Sequence, residues 1–249
     1  MARPEPRLFT VLRKEYITPN MLRVTLGGDA MNDFPKDQES GYVKLIFPSE
    51  SGRLMRTYTI RKQRENELDI DFAIHGETDS QGIACKWAVD TQAGDTITVG
   101  GPGPKKLASE NTDWMLFVGD MTSLPAISVN LEQLPADAKG YALLEVQTEA
   151  DIQALKKPDG IELKWLINPH PGQDSNALLE HIKALDWLDG SLSLWAACEF
   201  SSMRNIRAFF KARDDVSKAD FYVSSYWKMG LNEDQHKVEK RIDLEAVEA

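Results

Sequence analysis

Arg56-Thr57-Tyr58-Thr59-Ile60-Arg61 repeats its residue types at a spacing of two. In a strand, Arg56, Tyr58 and Ile60 share one face, and Thr57, Thr59 and Arg61 share the other. The set suits a flat, anionic ligand. An aromatic ring gives a stacking surface, hydroxyls bond a ring edge, and arginine forks bidentately onto phosphate. FAD asks for all three, and the candidates are Tyr58, Thr59 and one or both of Arg56 and Arg61. The same hexapeptide also describes an amphipathic edge strand whose cations deter aggregation.

Three further places carry chemistry. Gly82-Ile83-Ala84-Cys85-Lys86-Trp87-Ala88 is a helix-like run opened by glycine. Free amides at such a start, aided by the helix dipole, hold a pyrophosphate, which makes Gly82, Ile83 and Ala84 candidates. Gly119-Asp120-Met121-Thr122 follows an apolar run and precedes a helix with Pro125 in its first turn. That is the position beyond a parallel strand where α/β sheets take nucleotides. Trp195-Ala196-Ala197-Cys198-Glu199 ends another such run, and the following helix carries Arg204, Arg207 and Lys211 on one stripe. Such a stripe favours the 2′-phosphate of NADPH over the bare ribose of NADH; it is equally a solvated basic face.

The elements that must position these residues come in two styles. Residues 8–17, 21–26, 42–47, 55–61, 68–74 and 96–99 are short β-branched or aromatic runs broken by turn residues, as in a small antiparallel barrel. A helix-like run, 82–89, interrupts them, and Gly100-Gly101-Pro102-Gly103-Pro104 reads as a hinge. Residues 115–118, 142–146, 163–167, 192–196 and 221–223 are continuous apolar runs with helical candidates at 124–134, 176–185 and 201–213 between them. That alternation predicts a three-layer α/β domain, with a terminal polar helix over 231–247.

Bulk properties narrow the class. The 249 residues are enough for two modest cores, and a formal net charge of −10 argues against nucleic acid and anionic membrane surfaces as partners. No apolar run reaches bilayer-spanning length, and the charged, proline-containing opening is unlike a signal peptide, so a cytoplasmic location is expected. Cys85 and Cys198 are distant and form no metal or disulfide pattern, and the four histidines have no paired spacing. No protein-bound metal is expected. The acidic surface suggests a soluble monomer.

With His75 added before Gly82, and Tyr222-Val223-Ser224-Ser225-Tyr226-Trp227-Lys228 downstream, these motifs occur in the order found in the siderophore-interacting protein family, which the chain resembles from about Arg7 to its last helix. The resemblance implies a ferredoxin-reductase-like fold: an N-terminal antiparallel six-stranded FAD-binding β-barrel (residues 1–108), then a three-layer α/β NAD(P)H-binding domain (109–249). It implies a ferric-siderophore reductase in which NADPH or NADH, or a reduced ferredoxin, supplies electrons through FAD. His75 joins the cofactor residues by resemblance. Asp120, Glu199 and Arg204 are placed at the nucleotide, and Thr122, near the hydride path, is the catalytic candidate. Lys44, Lys105 or Lys106, and Lys228 match a basic trio for the anionic chelate. The chain departs from the family at Ile83, Met121 and Cys198, where proline, glutamate and glycine are common. Two other readings stay open: a flavin reductase or ferredoxin-type enzyme with a protein acceptor, and a non-catalytic siderophore-binding module.

Overall fold

A computed structural model describes residues 5–49, 52–74, 82–213, 216–217 and 219–248. The chain divides into two compact units, Met1–Lys106 and Leu107–Ala249.

In the first unit, β1 (Arg7–Thr18), β2 (Met21–Gly27), β3 (Tyr42–Ser49), β4 (Gly52–Arg64), β5 (Glu67–Ala73) and β6 (Thr96–Gly103) close a barrel in the order β1-β2-β5-β4-β3-β6. Every pairing is antiparallel. Alternation drives this. Along β3 the buried residues are Val43, Leu45 and Phe47, with half-buried side chains between them, so one face fills the interior as a small barrel requires. Phe9, Leu45, Ile60 and Phe72 are fully buried there. The helix α1 (Ile83–Asp90) packs on this core through Ala84, Cys85 and Ala88, and the Trp87 ring lies 5.9 Å from that of Phe72.

The expected hinge is instead strand. Gly100 and Gly103 pair with Lys44 and Tyr42 of β3. A Cβ at Gly103 would overlap the Tyr42 ring, and Gly101 holds φ at 108°, a conformation that favours glycine. These glycines serve close packing, and the units divide only after Lys106.

The second unit holds β7 (Trp114–Gly119), α2 (Leu124–Gln133), β8 (Gly140–Val146), β9 (Ile161–Ile167), α3 (Ala177–Lys183), β10 (Leu192–Glu199), α4 (Phe200–Lys211), β11 (Phe221–Trp227) and α5 (Glu233–Glu248). Its sheet is parallel throughout, in the order β11-β10-β7-β8-β9. All residues of β7, β8 and β10 are buried, which explains their unbroken apolar runs. The chain leaves β7 to build β8 and β9 on one side, then returns to build β10 and β11 on the other. The order therefore reverses between β7 and β10, and a ligand crevice is expected beyond their carboxyl ends. Among the described residues, no helix is long and apolar enough to cross a bilayer.

Candidate functional site

In the barrel, β4 lies between β3 and β5. Gly52–Thr59 pairs with β3, whereas pairing to β5 begins at Ile60, after which a register shift leaves Arg61 as the extra residue. Such a bulge re-aims the strand. Arg56, Thr57, Tyr58 and Thr59 thus lie just before the part of β4 that pairs with β5.

Tyr58 is half-buried and rests on Phe72, with ring centroids 4.3 Å apart. Its hydroxyl meets the thiol of Cys85, which ties β4 to the first turn of α1. Burial pushes that thiol up to about 11 against this hydrogen bond. Arg56 is half-buried, and its Nη1 donates to the Met55 carbonyl at 2.9 Å. The N-cap of α1 is Gly82, which has no side chain with which to cap the helix, and a Cβ there would meet nothing within 4 Å among the described residues. The amides of Ile83 and Ala84 belong to the first turn, where no intrahelical partner exists.

An aromatic face, two arginines and a helix start at a glycine N-cap are the donor set that an isoalloxazine and a pyrophosphate require, so these residues fit FAD. Lys44 pairs across from Thr57, donates to its hydroxyl, and lies 5.4 Å over the Tyr42 ring. It occupies the opposite face of the sheet from Tyr58. Lys105 is half-buried and Lys106 exposed, beyond the end of β6. His75 lies outside the described residues.

In the second unit, the two motifs flank the reversal point. Gly119 ends β7 beside Ala197 of β10. A Cβ on Gly119 would clash with Ser123 and Ile127, so glycine lets the strand end lie close against α2. Asp120 follows, 4% exposed. Its Oδ1 accepts from the Thr122 amide at 2.9 Å and hydroxyl at 2.6 Å, and its Oδ2 accepts from Trp227 Nε1 at 2.8 Å. Burial pushes Asp120 above the usual carboxylate range, against these hydrogen bonds. Glu199 caps α4 by accepting from the Ser202 amide at 3.2 Å and also takes the Met229 amide at 3.2 Å.

Asp120, Thr122 and Glu199 are therefore brought together at the crevice, with Trp227 and Met229 as partners that the sequence does not announce. Lys228 pairs with Glu239 at 2.7 Å and lies 4.7 Å over the Phe200 ring. Arg204 pairs with Asp243 at 3.1 Å.

Glu145 of β8 stands outside the residues that the motifs point to, and its one sequence signal is a lone carboxylate inside the apolar run Ala142–Val146. It is 7% exposed and accepts from Asn168 Nδ2 at 3.0 Å. Burial first, then the nearby charges of Asp120, Asp174 and Glu199, push it up to about 7. Among the described residues, no group of three or more His, Cys, Asp or Glu is arranged to hold a metal ion.

The raised value has a pH consequence. Between about 4.3, the unfolded value, and 7, the native state keeps a proton that the unfolded chain has lost, so stability falls as pH rises through that window. Glu145→Gln is expected to stabilise the second unit by roughly 3 kcal/mol at pH 8 and by almost nothing at pH 4. Denaturant titrations at both pH values check this; a gain equal at the two would mean that the carboxyl is not the cause.

Comparison with known proteins places these features. The family model described as siderophore-interacting FAD-binding domain matches residues 10–54 and 48–106, and that described as siderophore-interacting protein matches 112–230. The chain is 34% identical to the ferric vibriobactin reductase ViuB of Vibrio cholerae, over 96% of each chain. It is 28% identical to the NADPH-dependent ferric-chelate reductase of Escherichia coli, over 89% of this chain and 92% of the other. The crystal structure of the siderophore-interacting protein SipS from Aeromonas hydrophila superposes with a TM-score of 0.85 at 30% identity, covering 96% of this chain and 98% of that one.

Proposed function

The chain belongs to the siderophore-interacting protein family, and from that premise we propose that it is a flavin-dependent ferric-siderophore reductase, taking a hydride from NADPH or NADH and delivering single electrons to an iron(III) chelate. The observation that carries the reading is Tyr58 of β4, half-buried on Phe72 and hydrogen-bonded to Cys85 in the first turn of α1, with Arg56 two residues before it on the same strand face. When bound there, FAD supplies the conversion of a two-electron donor into one-electron transfers.

The protein's own residues bind and orient. Tyr58 and Thr59 hold the ring system, Arg56 and Arg61 neutralise phosphate charge, and Gly82, Ile83 and Ala84 offer backbone amides. At the reversal point, Asp120 fixes Thr122 through two hydrogen bonds, which holds that residue at the nucleotide crevice. Glu199 locks the start of α4, whose Arg204 and Arg207 take a 2′-phosphate. Lys44, Lys105 and Lys228 attract the anionic chelate. Iron(II) carries less charge than iron(III) and is held less tightly by hard oxygen donors, so reduction also releases the metal. No side chain acts as nucleophile. The protein works as a cytoplasmic monomer, with a reduced ferredoxin as an alternative donor.

The purified chain is expected to be yellow, to bleach under NADPH without oxygen, and to yield trapped iron(II) when a ferric siderophore is added. Bleaching without iron(II) would favour a protein acceptor; colourless protein that takes up no FAD would favour a non-catalytic module. Tyr58→Ala is expected to weaken FAD binding about tenfold, the scale of one aromatic contact. Unaltered FAD retention in that variant would remove Tyr58 from the flavin site.

A further inference from the structure

The last helix, α5, turns a polar face inward. His236 and Asp243 are buried at 5% and 9%, while Val238 and Ile242 remain 48% and 54% exposed. Among the described residues, none from α5 joins the apolar cluster that unites α3, α4 and β10. The helix is held mainly by charge and hydrogen bonds, with the His236 ring edge-on to Phe200 at 6.1 Å. Ser225 Oγ and His236 Nε2 lie 2.8 Å apart, and Lys240 Nζ donates to Ser224 Oγ at 2.7 Å and to the Ser225 carbonyl at 3.1 Å.

Two further contacts are carboxylates set on cations assigned above to anionic ligands. Glu239 holds Lys228 at 2.7 Å. Asp243 lies 3.1 Å from Arg204 Nε and 2.7 Å from Arg207 Nη2. Both arginines line a groove of about 340 Å³ along α4, with Ser201, Asn205, Ala208 and Lys211. Asp243 thus holds the guanidinium pair that a phosphate would bind.

We propose that α5 is a built-in counter-anion for this site: Asp243 occupies Arg204 and Arg207, and the 2′-phosphate of NADPH binds α4 by exchanging with it. This rests on reading Arg204 and Arg207 as the 2′-phosphate contacts. At the two arginines the exchange is favourable. A phosphate monoester brings more charge and more acceptor oxygens than a carboxylate to the same two forks, and releasing a helix docked by polar contacts exposes little apolar surface. NADH, with a bare ribose, has nothing to exchange and leaves α5 docked.

The test uses the full-length, FAD-loaded protein and two probes, 2′,5′-ADP and 5′-ADP, titrated by calorimetry at low ionic strength. Asp243→Asn is expected to tighten 2′,5′-ADP binding about tenfold, matching an undocked population of about a tenth in the parent chain, and to leave 5′-ADP unchanged. In the unmodified protein, 2′,5′-ADP but not 5′-ADP should speed hydrogen exchange of the α5 amides, which reads the displacement without any substitution. Equal 2′,5′-ADP affinities in parent and variant, with α5 exchange unmoved, overturn the proposal. If Arg204→Ala also leaves 2′,5′-ADP binding unaltered, the 2′-phosphate assignment falls with it; if Arg204→Ala weakens binding, only the exchange with Asp243 falls.

Discussion

Replacing Lys44, Lys105 and Lys228 together by alanine is expected to raise the KM for an anionic ferric tris-catecholate about 100-fold while FAD stays bound. A unit charge pair about 6 Å apart is worth roughly 3 kcal/mol at an effective dielectric near 20, and solvent exposure lowers this to about 1 kcal/mol per lysine. Three such losses make about two decades in affinity. The lysines are already engaged: Lys44 with Thr57 and the Tyr42 ring, and Lys228 with Glu239 and the Phe200 ring. A chelate held by these lysines would compete with those contacts, so the effect should grow with its negative charge and nearly vanish for a neutral chelate. Steady-state kinetics on chelates of differing charge, with flavin absorbance as the control, check the claim. An unchanged KM for the trianionic chelate would dispose of the lysine trio.

Asp120→Ala is expected to be the most damaging single change in the second unit. The buried carboxylate satisfies Trp227 Nε1 and both the amide and hydroxyl of Thr122. Truncation strands those donors, and leaving buried donors unpaired costs about 1–3 kcal/mol each, so a loss of roughly 4 kcal/mol follows. For a domain of this size that lowers Tm by about 10 °C. Asp120→Asn keeps one acceptor oxygen and removes a charge that burial already disfavours, so it should lose far less. Calorimetric melting of the two variants discriminates; an alanine variant melting within about 2 °C of the parent would show that Asp120 does not organise the crevice.

The order and type of the elements were legible because they depend on local periodicity. Alternating residues such as Val43, Leu45 and Phe47 form a barrel strand in any register that buries them, and unbroken runs such as Met115–Val118 require a sheet covered on both faces. For the same reason Gly119-Asp120 and Cys198-Glu199 could be set at strand ends. The glycine-rich stretch 100–104 misled, because a glycine that admits the Tyr42 ring reads the same as one in a hinge.

Partnership was not legible. Asp120 meets Trp227, Arg204 and Arg207 meet Asp243, and Lys228 meets Glu239 only because β10 lies between β7 and β11 while α5 packs with its polar stripe inward. Residue types announce which charges and hydrogen bonds a chain can make, since those belong to the side chains themselves. Which of them meet depends on sheet order, register and helix docking, and these are set by the burial of the whole chain at once.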